Sequence, residues 1–512
     1  MYNKIKPVLN VNKVSLTFLI LCFLYFPCNS QNKFDYNWVL GYGRSEPSET
    51  YLFGGFTINF NSSITFKNQT REFNFEYNTN SYSNNLGELE LMSNGCLIAD
   101  GNSSILKNGD GINFGTQRNT CPLLDIDLQA GLFISFKSND SIIYYIHTIT
   151  DTIGKRLHRK YILLTSINKN IDSIVRKNEI LIKDTLLLLG FTAIRSSDKD
   201  YWWLLHPRIY SNSYVALKLK YDGTVSSILK NQIGIYIDTS MSGEAQSSFS
   251  PNGKKFGIFF PNKGLQVMDF DRSTGLMSNS RFFNLNYNRA VFGGCAFSPN
   301  SRFVYVNTNT ELMQVDLEET DSIKAVDTIG LFDNFFDPYP TTFLQMILGP
   351  DCRIYMSTYG GNRYLHVILY PDIKGKKCKF VQRGLKLPAR NSFALPNNPH
   401  YRVDEPWPCD STITIPLNTS VTDPEEGVFR KGDLLIYPQP ASEFIIIQAI
   451  GIDESPNNIQ ISNLQGELIM NKNILFYNQE LKLDISTLQA GIYFIKLSNK
   501  DRIWTGRVMI GS

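Results

Sequence analysis

Five histidines, His147, His158, His206, His366 and His400, are the side chains of this sequence best suited to proton transfer or metal ligation near neutral pH. They fall in different prospective repeats or loops, and no pair has the spacing of a metal site. His206 stands beside Trp202 and Trp203 in "KDYWWLLHP" (Lys199 to Pro207), where it could line a central pocket. The adopted reading is plainer: the tryptophans pack between repeats and His206 caps a strand. Asp125 and Asp127 in "DIDLQ" share one face of a strand, a spacing suited to acid–base work or cation binding, although alternating acids on a strand also simply face water. The loop "DGNSSILKNGDG" (Asp100 to Gly111) is as oxygen-rich as a calcium loop but lacks the EF-hand order of ligands, so it reads as a turn.

Signatures of known chemistries are otherwise missing from the sequence: there is no G-x-S-x-G elbow, no H-E-x-x-H pair, no P-loop and no G-x-G-x-x-G opening a helix. No catalytic residue, metal site or cofactor is therefore assigned. The expectation is a protein that is not an enzyme. An exported propeller enzyme acting on polysaccharide, a lyase or hydrolase, is the alternative, because strand ends in such folds converge on a channel without leaving a local motif.

Residues 1–30 read as a secretory signal, with Lys4, Lys6 and Lys13 ahead of the apolar run "VSLTFLILCFLYF" and a small-residue end "CNS". That run is short for a membrane span, and no later segment reaches the length of one, so the mature chain is expected to carry no transmembrane segment. Removing it takes away three lysines and no acids, which brings the formal charge of +3 to zero and leaves no electrostatic case for nucleic-acid binding. Six cysteines remain: Cys96, Cys121, Cys295, Cys352, Cys378 and Cys409. In an exported protein Cys96 with Cys121 and Cys352 with Cys378 are the local disulfide pairings, with isolated buried thiols as the other reading.

The elements that must position these residues are strands. Phe, Tyr, Ile and Val recur in short runs punctuated by Asn, Asp, Gly and Ser, the pattern of an all-β protein. "FSPNGKKFGIFF" from Phe249, "FSPNSRFVYVNT" from Phe297 and "LGPDCRIYMSTY" from Leu348 each join a strand end, a Pro-Asn or Pro-Asp turn, and a strand. With looser units at Asn94, Asn139 and Asp198, the markers Asn94, Asn139, Asp198, Asn252, Asn300 and Asp351 are 45, 59, 54, 48 and 51 residues apart. This is the period of a four-stranded propeller blade. The expected architecture is an about seven-bladed β-propeller over residues 31–410, a linker over 411–432, and a small immunoglobulin-like β-sandwich over 433–512.

The last segment has ordered motifs. "YPQPAS" (Tyr437, Pro438, Pro440, Ala441 and Ser442) opens it, a strand-Leu-x-Gly-strand unit follows with Leu464 and Gly466, and "DISTLQAGIY" supplies Asp484, Leu488, Gly491 and Tyr493. On these residues the final 80 or so resemble the C-terminal sorting domain of type IX secretion, the Por system of Bacteroidetes. The resemblance implies export through the periplasm, the type IX machinery as a partner, and removal of the domain with release or attachment at the cell surface. Read for structure alone, the prolines shape a turn, Gly466 and Gly491 take positive φ, and Tyr493 packs in the core. The stretch 31–402 also resembles surface proteins with WD-repeat-like propellers, on "NWVLGYG", "KDYWWLLHP", the "FSPN" units and the ending "NPHYRVDEPWPCDS". Together these make a secreted or surface binding scaffold whose extracellular ligand, glycan or protein, is unknown.

Overall fold

The computed structural model describes residues 32–42, 53–115, 121, 128–153, 156–238, 241, 246–285, 292–337, 339–406, 408–418, 434–437, 441, 443–449, 456–463, 466–475, 480–500 and 503–510. The signal-peptide reading of 1–30 and the Asp125–Asp127 pair lie outside them, as does most of the expected linker.

Among the described residues between 37 and 391, seven antiparallel sheets follow one another, spanning 37–69, 80–100, 131–186, 192–237, 246–284, 295–331 and 343–391. The first two have three strands and the other five have four, always in meander order or its reverse. The first strands of successive sheets stand side by side: Asn80–Ser83 against Gly131–Phe136, and Thr192–Arg195, Gln246–Phe249, Cys295–Phe297 and Phe343–Leu348 in turn. This is a β-propeller, with large side chains filling the wedges between sheets. Trp202 donates to the Ser135 carbonyl of the third sheet at 3.1 Å and Trp203 to the Arg272 carbonyl of the fifth at 2.8 Å, so one Trp-Trp pair fastens the fourth sheet to both neighbours.

The sequence turns build the corners from first to second strand. In the fifth sheet Asn252 Oδ1 accepts from Ser250 Oγ and the Lys254 amide while Gly253 takes φ +69°; in the sixth Asn300 and Ser301 repeat this, with Ser301 at φ 63°. Asp351 and Cys352 (φ 66°) form the corner of the seventh. The Asn139 and Asp198 units also fall at this corner, but Asn94 lies one strand later, between the second and third strands of its sheet.

No residue of the first sheet's three strands lines the cavity at the centre of the ring. That place is taken by residues 395–400 from the far end of the propeller: the Leu395 amide bonds to Gln345 Oε1 at 3.1 Å and the Asn397 amide to the Thr79 carbonyl at 3.3 Å. The chain then folds over the channel end and ties itself down. Arg402 meets Asp35, Arg272 meets Asp404, and Cys409 is bonded to Cys352. The expected linker does not begin at 411. Thr414 bridges Ser63, Ile413 is buried, and the Asn418 amide donates to the Gly384 carbonyl at 2.9 Å, so these residues belong to the propeller body.

Residues 434–510 form two further sheets over one core. Leu434–Tyr437, Phe444–Ala449 and Glu480–Asp484 make one; Asn458–Asn463, Leu468–Asn473, Gly491–Ser498 and Ile503–Ile510 the other. Alternate residues such as Ile445, Ile447, Ile459, Ile461, Ile495 and Leu497 point inward, as period-two patterning requires.

Candidate functional site

The interior of the channel is occupied by side-chain amides that hold the ring together. Gln246 Oε1 accepts from the amides of Cys295 and Met346, both at 3.0 Å, joining three sheets. Gln129 forms a two-way bond with the Ser247 backbone, and Asn397 donates to the Gly131 and Phe191 carbonyls at 3.0 and 3.2 Å while accepting from Gln129. Apart from the Gln129–Asn397 bond between two side chains, each satisfies a buried backbone group. A cavity of about 60 Å³ remains, walled in part by Gln129, Gln246, Met346, Pro396, Asn397 and His400. That is room for a few waters and well below the ~150 Å³ that admits a benzene ring.

The histidines do not converge. His147 and His158 share the third sheet, and His206 lies within the strand Tyr201–Pro207 instead of capping it, packed on Phe191 at 5.8 Å. His366 is a neutral structural group: Nε2 donates to the Thr341 carbonyl at 2.8 Å and Nδ1 accepts from the Arg383 amide at 3.0 Å. Burial, with Arg383 nearby, pushes it down to about 3. Asp100 Oδ1 accepts from the amides of Asn102 and Ser104 at 2.9 and 2.8 Å, an Asx turn. No cluster of three metal-ligating side chains occurs among the described residues.

Cys96 and Cys121 are bonded, with Cα atoms 5.4 Å apart. Cys352 pairs with Cys409, 5.1 Å between Cα atoms, and not with Cys378. Cys378 ends a short 3-10 turn and is buried against Tyr305, whereas Cys352 sits at a corner over which the returning tail passes. Cys295 is also a buried free thiol.

The motif residues of the C-terminal module hold turns. Asp484 Oδ1 accepts from the Ser486 amide and hydroxyl at 2.9 and 2.7 Å, which holds its carboxyl below the usual range. Leu488 closes the loop through its amide on the Ile485 carbonyl, and the nearly buried Tyr493 donates its hydroxyl to Gln489 at 2.9 Å. Residues 435–511 match the family described as the secretion system C-terminal sorting domain. The module is a type IX sorting tail. Within this sorting domain Gly466 takes φ +81° at the turn from Asn463, but Gly491 simply starts a strand in ordinary extended backbone. Ala441 is buried and bridges Ile510, and Tyr437 ends the first strand; Pro438, Pro440, Ser442 and Leu464 lie outside the described residues.

The sorting domain assigns the chain to type IX export, to the cell surface or the extracellular space. No helix among the described residues is long and apolar enough to cross a membrane. No curated protein matches the sequence. Among solved structures, the periplasmic gluconolactonase PpgL of Pseudomonas aeruginosa aligns at 13% identity and TM-score 0.34, over 58% of this chain and 81% of its own. A putative 6-phosphogluconolactonase from Bacteroides uniformis aligns at 9% and 0.38, over 70% and 98%. The Cps50 (Swd1) β-propeller domain of Myceliophteria thermophila aligns at 10% and 0.33, over 62% and 94%. Scores this low carry no inference about chemistry.

The amide ring of Gln129, Gln246, Gln345 and Asn397 was not legible in the sequence. The one available signal was the pair of prolines around "PNNPH", which hold a chain extended without strand pairing.

Proposed function

We propose that this exported propeller works as a non-enzymatic binding scaffold, engaging an extracellular glycan or protein through its outer face. One observation carries the reading: the channel, where a propeller enzyme gathers its reacting groups, is filled by the chain's own residues 395–400, among which Asn397 is spent on the Gly131 and Phe191 carbonyls and the Gln129 side chain. Filling a channel this way makes a rigid ring, and rigid scaffolds are what surface recognition needs. The type IX machinery is its partner during export, and the ligand is met outside.

The test is to incubate the secreted protein with a panel of soluble polysaccharides, measuring new reducing ends and unsaturated uronates alongside binding. Binding without product supports the scaffold. Turnover that depends on the protein would replace it with the polysaccharide-enzyme reading.

A further inference from the structure

The two sheets of the C-terminal module end in four edge strands, Leu434–Tyr437, Glu480–Asp484, Leu468–Asn473 and Ile503–Ile510. A free edge is a row of unpaired N–H and C=O groups ready to pair with another strand, and exported proteins cover it or charge it. Three of these edges are guarded in that way. Leu434–Tyr437 packs on Ile503–Ile510, close enough that a Cβ on Gly506 would meet Ile436 at 2.5 Å, and Ile510 is bridged by Ala441. Glu480–Asp484 carries Lys482 and Asp484 exposed along its length.

Leu468–Asn473 has neither protection. Five of its six residues are exposed and Met470 is half-buried. Leu468 is 54% exposed, Ile469 42% and the nearby Leu475 91%, while the stretch "LIMNKNIL" (Leu468 to Leu475) carries one charge, Lys472. An extra residue at Ile469 bulges the start of the strand, and from Met470 onward the pairing with Asn458–Asn463 is regular. The Ile474 amide donates to the Asn457 carbonyl at 2.9 Å, and inward and outward groups alternate along an antiparallel strand. Lys472 and Met470 therefore turn their amides into the sheet, and Asn471 and Asn473 turn theirs out of it. Among the described residues nothing accepts from those two outward amides.

The occupant follows from what the module is. Residues 435–511 are a secretion sorting domain, the part of the chain that the type IX machinery handles. Strand addition draws its affinity from main-chain bonds, and an edge with open amides, apolar side chains at both ends and one charge offers that contact with little to repel a partner. We propose that Leu468–Asn473, continued to Leu475, is the edge on which the type IX machinery docks, an extended and largely uncharged segment of it adding to the sheet. The Asn471 and Asn473 amides donate to that segment, and Leu468 and Leu475 cover its apolar side chains. The inference rests on the sorting-tail assignment and is independent of what the propeller binds.

The experiment expresses the full chain in its native organism and compares, by immunoblot, the amount outside the cell with the amount in the periplasm. Asn471→Pro removes one outward N–H and no bond within the sheet, and Leu475→Lys charges a side chain that already stands in water, so both leave the module's own packing intact. Each should lower the secreted fraction about fivefold, the worth of one main-chain hydrogen bond, with the periplasmic chain keeping the parent's thermal midpoint and protease pattern. Ile503→Lys, at an exposed apolar residue of the guarded edge strand, should be secreted like the parent. Parent-like secretion of both edge variants, where the chain lacking residues 433–512 is retained, overturns the docking edge. Secretion of that shortened chain overturns the sorting assignment beneath it. Equal loss in all three variants overturns the choice of strand, and a purified full-length chain that is dimeric, and monomeric with Asn471→Pro, gives the edge to a second copy instead.

Discussion

Arg402 reaches back 367 residues to Asp35, Nη2 donating to Oδ2 at 2.8 Å, with both side chains almost wholly out of solvent. The same guanidinium bonds the Pro408 and Asn32 carbonyls, so one side chain gathers the start of the propeller and its tail. Arg402→Met should cost about 3–5 kcal/mol, because a buried carboxylate loses its partner, whereas pairing it with Asp35→Leu should recover most of the loss. Denaturant titration of the secreted protein checks this; equal losses in single and double variants would contradict it.

The Cys352–Cys409 bond closes a 57-residue separation at the same corner. Its removal should destabilise by about 2–5 kcal/mol, with Cys352→Ser, Cys409→Ser and the double variant alike. Peptide mapping without reduction should recover these two cysteines linked, and Cys378 should react with a maleimide only after unfolding, since burial also pushes its thiol up to about 11. A Cys352–Cys378 peptide would overturn the assignment.

Acid should loosen the ring. Burial pushes His147, His366 and His400 down to about 3 and, with Arg159 beside it, drives His206 well below its ordinary value. Unfolded, these groups take protons near pH 6.5 and the folded chain refuses them, so the unfolded state binds more protons and stability falls as pH drops from about 6.5 toward 3. The slope is at most about 1.4 kcal/mol per pH unit for each histidine. Denaturation midpoints between pH 4 and 8 should decline steadily on acidification, and a flat profile would show that the histidines are hydrated.

Deleting residues 433–512 should leave the chain in the periplasm, folded and resistant to protease, because among the described residues the ties that close the propeller lie at or before Asn418. Fractionation and immunoblotting read this directly, and undiminished secretion of the truncated chain would show that another segment carries the export signal.

Corners were legible in the sequence because their chemistry is local: Asn252, Asn300 and Asp351 hold amides within a few residues, and such needs leave a signature. The sorting domain was legible for the same reason, Asp484 and Tyr493 each bonding within four residues. What could not be read was whatever depended on distant chain. Gln246 serves Cys295 and Met346 across two sheets, and Cys409 returns to a corner far behind it. The first two sheets also kept their corners hidden. Asn94 marked a later turn, and the corner of its sheet is the Asn84 to Gly87 turn, which contains no proline.

Because the innermost place beside the first sheet is filled by residues 395–400, the earliest strands to leave the ribosome must wait for almost the last ones before any of them is sealed. A chain cut short anywhere before this point stays an open arc with raw edges, and it also lacks the label that follows only a few dozen residues later. Completion and address are thus read off the same stretch of time, and a copy that can be posted is one that has already been able to shut.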